Sequence, residues 1–270
     1  MLENPRSPRV RAVAKLTKRS ARTETGLFLL EGPQAVREAL TYRPDTIVEL
    51  FATPTVWEKH ADIRNQAAES DIEVEYVTEY VLNAMADTVT PQGLVAVVHQ
   101  TPTSVREIFA SSPRLVAICE EVRDPGNLGT IIRAADAAGA DAVVLTGRTV
   151  DPYNPKVVRA TTGSLFHLPV SVGGELPDVI ERAHAAGLLV LAADVKGDDL
   201  LQARAEGVLA GPTAWLFGNE ARGLEEEALA LSDRVLKLPI FGRAESLNLA
   251  TAASVCLYES AFSQRAADQT

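Results

Sequence analysis

Six short apolar runs constrain this chain most: "LVAIC" (115–119), "AVVLT" (142–146), "FHLPV" (166–170), "LLVLAA" (188–193), "AWLFG" (214–218) and "VLKLPI" (235–240). Each is too short for a buried helix, and helical patterns separate them. Strands that are apolar throughout are buried on both faces, so the alternation implies a mostly parallel sheet between helical layers. Ligands of such sheets collect at the carboxyl ends of the strands, and the turns there are where chemistry is expected.

The first hundred residues also alternate, with "FLLEG", "QAVREAL", "TIVELFAT", "HADIRNQAAES", "IEVEYV", "VLNAMAD" and "GLVAVVH". They predict a small α/β domain over 1–100. The stretch 101–112, within "QTPTSVREIFASSP", shifts to Pro, Ser and Thr and reads as a linker, leaving 113–270 as the second domain.

Composition excludes several classes. With 46% hydrophobic residues in 270, the chain can bury a sizeable core, yet it has no apolar run long enough to span a membrane. The N-terminus lacks a signal-peptide core, so a cytoplasmic location is expected. Cys119 and Cys256 sit in apolar runs, and His60, His99, His167 and His184 are scattered, so neither a disulfide nor a metal site is expected. The formal net charge is −10, but residues 1–23 hold seven cations against Glu3, a local +6 on a remainder of −16. That pattern suits a basic arm touching nucleic acid, through Arg9, Arg11, Lys15, Lys18 and Arg19, or a solvated terminal helix.

Three strand-end segments stand out. "DPGNLGTIIRAADAAGA" (124–140) places Asn127 at the start of a helix and Arg133 on an otherwise apolar face. By itself it also fits an Asn127 cap and an Arg133–Asp136 helix pair. "WLFGNEARGLEEEALAL" sets Gly218, Asn219 and Glu220 in a turn closed by Gly223. "LPIFGRAESLNLATAASVCLYE" turns through Gly242 towards a helix for which Ser246 is the expected cap, with Asn248 an amide in need of partners. Neither GxGxxG nor a Walker lysine is present, which argues against a dinucleotide oxidoreductase or an ATP-dependent phosphotransferase.

In this order and spacing the three segments resemble the motifs of the SpoU/TrmH family of SPOUT-class RNA ribose 2′-O-methyltransferases, over roughly residues 113–264. "GLFLLEGPQAVREAL" and "TPQGLVAVV" are similar to the ribosomal-protein-like RNA-binding domain that many members carry. The resemblance implies a deep trefoil knot at the C-terminal end of the sheet and a homodimer packed through it. It implies S-adenosylmethionine bound by Ala193, Gly218, Asn219, Leu238, Ile240, Leu247 and Asn248, and no metal. It places Asn127, Arg133, Glu220, Ser246 and Asn248 in the catalytic site, and adds Lys156 and Arg159, in "DPYNPKVVRATTGSLFHLPV", to the RNA contacts. The family proposal makes Arg133 a general base; because a guanidinium stays protonated, a role in holding phosphate and stabilising charge on the 2′-oxygen is expected instead. Ribosomal RNA is the expected substrate, with tRNA or a non-catalytic RNA-binding dimer as alternatives.

Overall fold

The computed structural model describes residues 1–269. The chain divides into two compact units, one of residues 1–101 with 151–167, the other of 102–150 with 168–270.

In the first unit, β1 (Leu27–Glu31), β2 (Ile47–Ala52), β3 (Val74–Tyr76) and β4 (Leu94–His99) form a sheet of order β1-β4-β2-β3. Both β1 and β2 run antiparallel to β4, and β3 runs parallel to β2. Alternation sends Phe28, Leu30, Leu94, Ala96 and Val98 to one face, and Leu29, Val95 and Val97 to the other.

The basic N-terminal segment is not a loose arm. It forms the helices Pro8–Lys15 and Arg19–Thr25, and Val10, Val13 and Leu16 are buried against Leu29, Phe51, Val95 and Met85. Three apolar side chains at helical spacing within the cationic stretch turn one face of the segment into the core. Arg22, one of the seven cations of this segment, is 2% exposed. It bonds Asp151 at 2.6 Å and donates to the carbonyls of Leu16 and Thr17.

The excursion 151–167 completes this unit's core. Tyr153 and Phe166 lie 5.0 and 6.4 Å from the Phe28 ring, and Val158 of the helix Pro155–Thr161 joins them. The expected strand 166–170 is displaced for that reason, since Phe166 ends a 3-10 turn, Ser164–Phe166.

The second unit carries β5 (Leu115–Glu120), β6 (Ala142–Thr146), β7 (Val170–Val172), β8 (Leu189–Asp199), β9 (Thr213–Phe217) and β10 (Arg234–Lys237). All pairings are parallel, in the order β10-β8-β9-β5-β6-β7. The helices Val105–Ala110 and Leu176–Ala185 cover one face through Ile108, Phe109, Leu176, Val179 and Ile180. The helices Pro125–Ala138 and Leu249–Ala267 pack together, and the latter is tied to the sheet where Trp215 Nε1 donates to Ser260 Oγ at 2.9 Å.

Pairing of β10 with β8 jumps from Val235–Ala192 to Leu236–Asp198, so residues 193–197 bulge out of the ladder. Gly197 is required there, because a Cβ would lie 2.5 Å from the Val235 carbonyl.

Candidate active site

The three strand-end segments meet at the carboxyl ends of β5 and β9. Asp124, rather than Asn127, caps the helix Pro125–Ala138, its Oδ1 accepting the Asn127 N–H at 2.8 Å. Asn127 therefore sits in the first turn with its amide available to other partners. Glu220, three residues past β9, accepts the backbone N–H groups of Arg123 (3.1 Å) and Asp124 (2.9 Å), and the Asn127 Nδ2 at 3.3 Å. Asn127 Oδ1 in turn accepts from Asn248 Nδ2 at 2.8 Å. Asn248, not Ser246, is the cap of the final helix, its Oδ1 accepting from Ala250 and Thr251. Ser246 lies two residues too early for that position and lines a cavity instead.

Burial pushes the Glu220 carboxyl up, but the N–H groups of Asp124, Glu220 and Arg123 with the Asn127 amide outweigh it and hold it below the usual carboxylate range. Glu220 is thus an anion that pins the turn entering the helix, not a proton donor near neutrality. Arg133 is exposed two turns further along that helix, and its guanidinium bonds no group among the described residues.

Beside this network lies a cavity of about 370 Å³, within the roughly 300–1,000 Å³ usual for small-ligand sites. Ala193, Asn219, Leu238, Ile240, Ser246 and Leu247, all expected from the sequence to serve the site, line it. Gly218 and Asn248 do not. Gly218 acts through the turn, since a Cβ would fall 2.5 Å from the Gly223 carbonyl oxygen, and Asn219 and Gly223 exchange backbone hydrogen bonds of 3.0 and 2.8 Å. Asn219 Nδ2 also donates to the Glu121 carbonyl at 2.9 Å, joining the ends of β9 and β5.

Two walls of the cavity go beyond the sequence expectation. The bulge supplies Asp194, Val195 and Lys196, and the final helix supplies Leu249 and Ala252. Gly197, within "AADVKGDD", is the one sequence signal for the bulge. Between Leu238 and Leu247 no backbone–backbone hydrogen bond forms among the described residues. The loop's N–H and C=O groups are therefore open to a ligand, and apolar Ile240 and Leu247 stay 38% and 41% exposed beside them. Apolar walls with free backbone donors and acceptors fit a nucleoside-bearing cofactor such as S-adenosylmethionine.

Both cysteines are inert. Burial and the Glu220 charge push the Cys119 thiol up to about 12, and burial raises Cys256 as well. Among the described residues no group of His, Cys, Asp and Glu is arranged to hold a metal, and no helix is long and apolar enough to cross a membrane.

The cations expected to meet RNA divide by their partners. Arg11, Lys15, Lys18, Arg19 and Lys156 are exposed, with no side-chain partner among the described residues. Arg9 is engaged by Glu49 and Glu75, and Arg159 by Glu31 (3.1 Å) and Asp87 (2.9 Å).

Comparison with known proteins agrees with the geometry. The SpoU rRNA methylase family matches residues 114–258, and the RNA 2′-O ribose methyltransferase substrate-binding family matches 29–104. The chain is 35% identical, over 95% of its length and 97% of the relative's, to the 23S rRNA (guanosine(2553)-2′-O)-methyltransferase RlmP of Bacillus subtilis. It is 32% identical, over 95% and 90%, to the 23S rRNA (uridine(2479)-2′-O)-methyltransferase of Streptomyces viridochromogenes. Among solved structures, the AdoMet-bound rRNA methyltransferase of Sinorhizobium meliloti matches with a TM-score of 0.82 and 34% identity over 96% of both chains. The parallel sheet, the joined strand-end motifs and these full-length matches lead to one conclusion: the chain belongs to the SpoU family of S-adenosylmethionine-dependent RNA ribose 2′-O-methyltransferases.

Proposed function

We propose that this protein methylates one ribose 2′-hydroxyl of large-subunit ribosomal RNA. The observation that carries the reading is the chain of hydrogen bonds from Glu220 through Asn127 to Asn248, beside a cavity lined by the residues expected to hold the cofactor. Two relatives matched over 97% and 90% of their own length are named for 23S rRNA, which favours ribosomal RNA over tRNA.

S-adenosylmethionine supplies an electrophilic methyl group when bound. Leu238, Ile240 and Leu247 with the open backbone of their loop would hold it, and Ala193 and Asn219 would close the opposite wall. Asn127 and Asn248 hold the loop and the helix start in register, which is the alignment an in-line displacement needs. Glu220 fixes the backbone of Arg123 and Asp124 as an anion. Arg133, protonated and without a protein partner, holds a phosphate next to the target ribose and stabilises negative charge developing on the 2′-oxygen; the hydroxyl proton leaves to solvent. Arg11, Lys15, Lys18, Arg19 and Lys156 bind phosphates, which increases affinity without reading sequence.

A homodimer fits the apolar surface of the second unit, where Phe241 is 88% exposed and Phe262 51%. In this reading Leu238–Leu247 and the final helix form the trefoil knot and meet the partner copy, and the protein acts in the cytoplasm. The test is transfer of labelled methyl to total RNA from a strain lacking the protein, with the modified position mapped by alkali resistance and mass measured by sedimentation. Transfer to tRNA alone, or cofactor binding without turnover, overturns the reading.

A further inference from the structure

A second cavity, about 480 Å³, lies on the other side of the Asn219–Gly223 turn, which forms a wall of both. It sits at the carboxyl ends of β5 and β6, where Glu120 ends β5 and Arg148 follows β6. Arg123, Arg148 and Arg222 converge on it, with Leu176 and Pro177 as its apolar side.

Glu120, Glu121, Glu225 and Glu227 also line the cavity, and Glu121 is the carboxylate that ties its cations together. Glu121 holds a left-handed backbone (φ 56°), a conformation costly for a residue with a side chain and kept only where the surrounding structure fixes it. Its carboxylate accepts the Arg148 backbone N–H at 2.7 Å, bonds the Arg123 guanidinium and stands 3.7 Å from Arg222. Gly147 allows this approach, since a Cβ there would lie 2.8 Å from Glu121 Oε1 and 2.9 Å from Glu120 Oε1. Glu225 occupies Arg222 at 3.1 Å. Arg123 and Arg222 are thus held by carboxylates at bonding distance, while the exposed Arg148 guanidinium feels the Glu121 charge but makes no hydrogen bond or ion pair among the described residues.

We propose that this cavity is a nucleotide subsite of the transfer site. It takes a nucleotide of the RNA strand next to the methylated one, its phosphodiester on Arg148 and its sugar and base against Leu176 and Pro177. The turn it shares with the cofactor cavity sets the two side by side, and the free Arg148 with an apolar side matches a nucleotide's own division into anion and ring. The inference rests on RNA being the substrate. Glu121 acts as a counter-ion that keeps Arg123 and Arg222 extended and tempers the attraction for phosphate.

The test uses the full-length protein with labelled S-adenosylmethionine and ribosomal RNA. Arg148→Ala raises the KM for RNA about tenfold, as loss of one charge-assisted bond to phosphate implies, with kcat and the cofactor Kd unchanged. The slope of log affinity against log salt shallows by about 0.7–0.9, and Arg148→Lys restores it. Glu121→Gln keeps an acceptor for the Arg148 N–H while removing the charge, and lowers the KM. Because Arg148 is exposed, its replacement does not threaten folding. A wild-type protein that transfers methyl groups while Arg148→Ala leaves both KM and salt slope unchanged overturns the subsite alone. A wild-type protein that transfers to no RNA overturns the function on which it rests.

Discussion

Asn248 Nδ2 donates to Asn127 Oδ1 at 2.8 Å across 121 positions of sequence, so the starts of two helices are locked to each other by one amide pair. The same Asn248 caps its own helix with its oxygen. Its two functions use opposite ends of one side chain and separate by mutation. Asn248→Asp keeps the capping oxygen but sets an acceptor against Asn127 Oδ1, whereas Asn248→Ala loses both. Thermal unfolding should show Asn248→Ala destabilised by about 1–2 kcal/mol and Asn248→Asp nearly unchanged, with methyl transfer impaired in both. Full transfer by Asn248→Asp would show that catalysis does not depend on the amide pair.

Glu220 makes the acid limb of activity predictable. Its carboxyl is held below the usual range in the folded protein, so the stability it contributes is complete above the unfolded value, about 4.3, and disappears as pH falls through the lower folded value. Transfer and cofactor affinity should therefore show no Glu220 titration between neutrality and about pH 4.3. In Glu220→Gln the turn loses its anion, and hydrogen exchange at the amides of Arg123 and Asp124 should accelerate at all pH values. A protonation step seen at about pH 5–6 in the wild type, and removed by Glu220→Gln, would contradict the assignment.

Arg133 tests electrostatic against structural importance. It is exposed and makes no bond to the rest of the described chain, so Arg133→Ala should fold normally and bind cofactor with unchanged enthalpy in calorimetry. Loss of one charge-stabilising donor should lower kcat about 10²–10³-fold. Arg133→Lys keeps the charge without the planar fork and should recover only part of that loss. Impaired cofactor binding by Arg133→Ala would refute this division of roles.

Most of the buried strands, their parallel direction and the three strand-end segments are legible because a fully buried strand leaves an uninterrupted apolar run, and turns need glycine and amides. What stays hidden is decided by residues distant in sequence. Phe166 reads as strand from its neighbours alone, but Phe28 and Tyr153 claim its ring. Ser246 reads as the cap because serine favours that position, yet the cap falls to Asn248, whose other end is held by Asn127. The bulge over 193–197 is invisible to periodicity, as its residues alternate much as a strand's do, and only Gly197 marks where another backbone approaches.

The N-terminal cations show how burial changes an experiment. Deleting residues 1–22 would remove Val10, Val13 and Leu16 from the first unit's core and with them Arg22, so any loss of RNA binding would report unfolding. The buried Arg22–Asp151 pair is itself a sensitive point. Arg22→Met leaves Asp151 without its partner and should cost about 3–5 kcal/mol, read as a drop in the unfolding midpoint of the full-length protein. Glutamine at Arg11, Lys15, Lys18 and Arg19 leaves that core intact. The fourfold variant should keep its unfolding midpoint and cofactor affinity, bind RNA more weakly, and show a salt slope shallower by about 0.7–0.9 for each phosphate it no longer neutralises. An unchanged slope would place the RNA on another face and leave these cations to solubility alone.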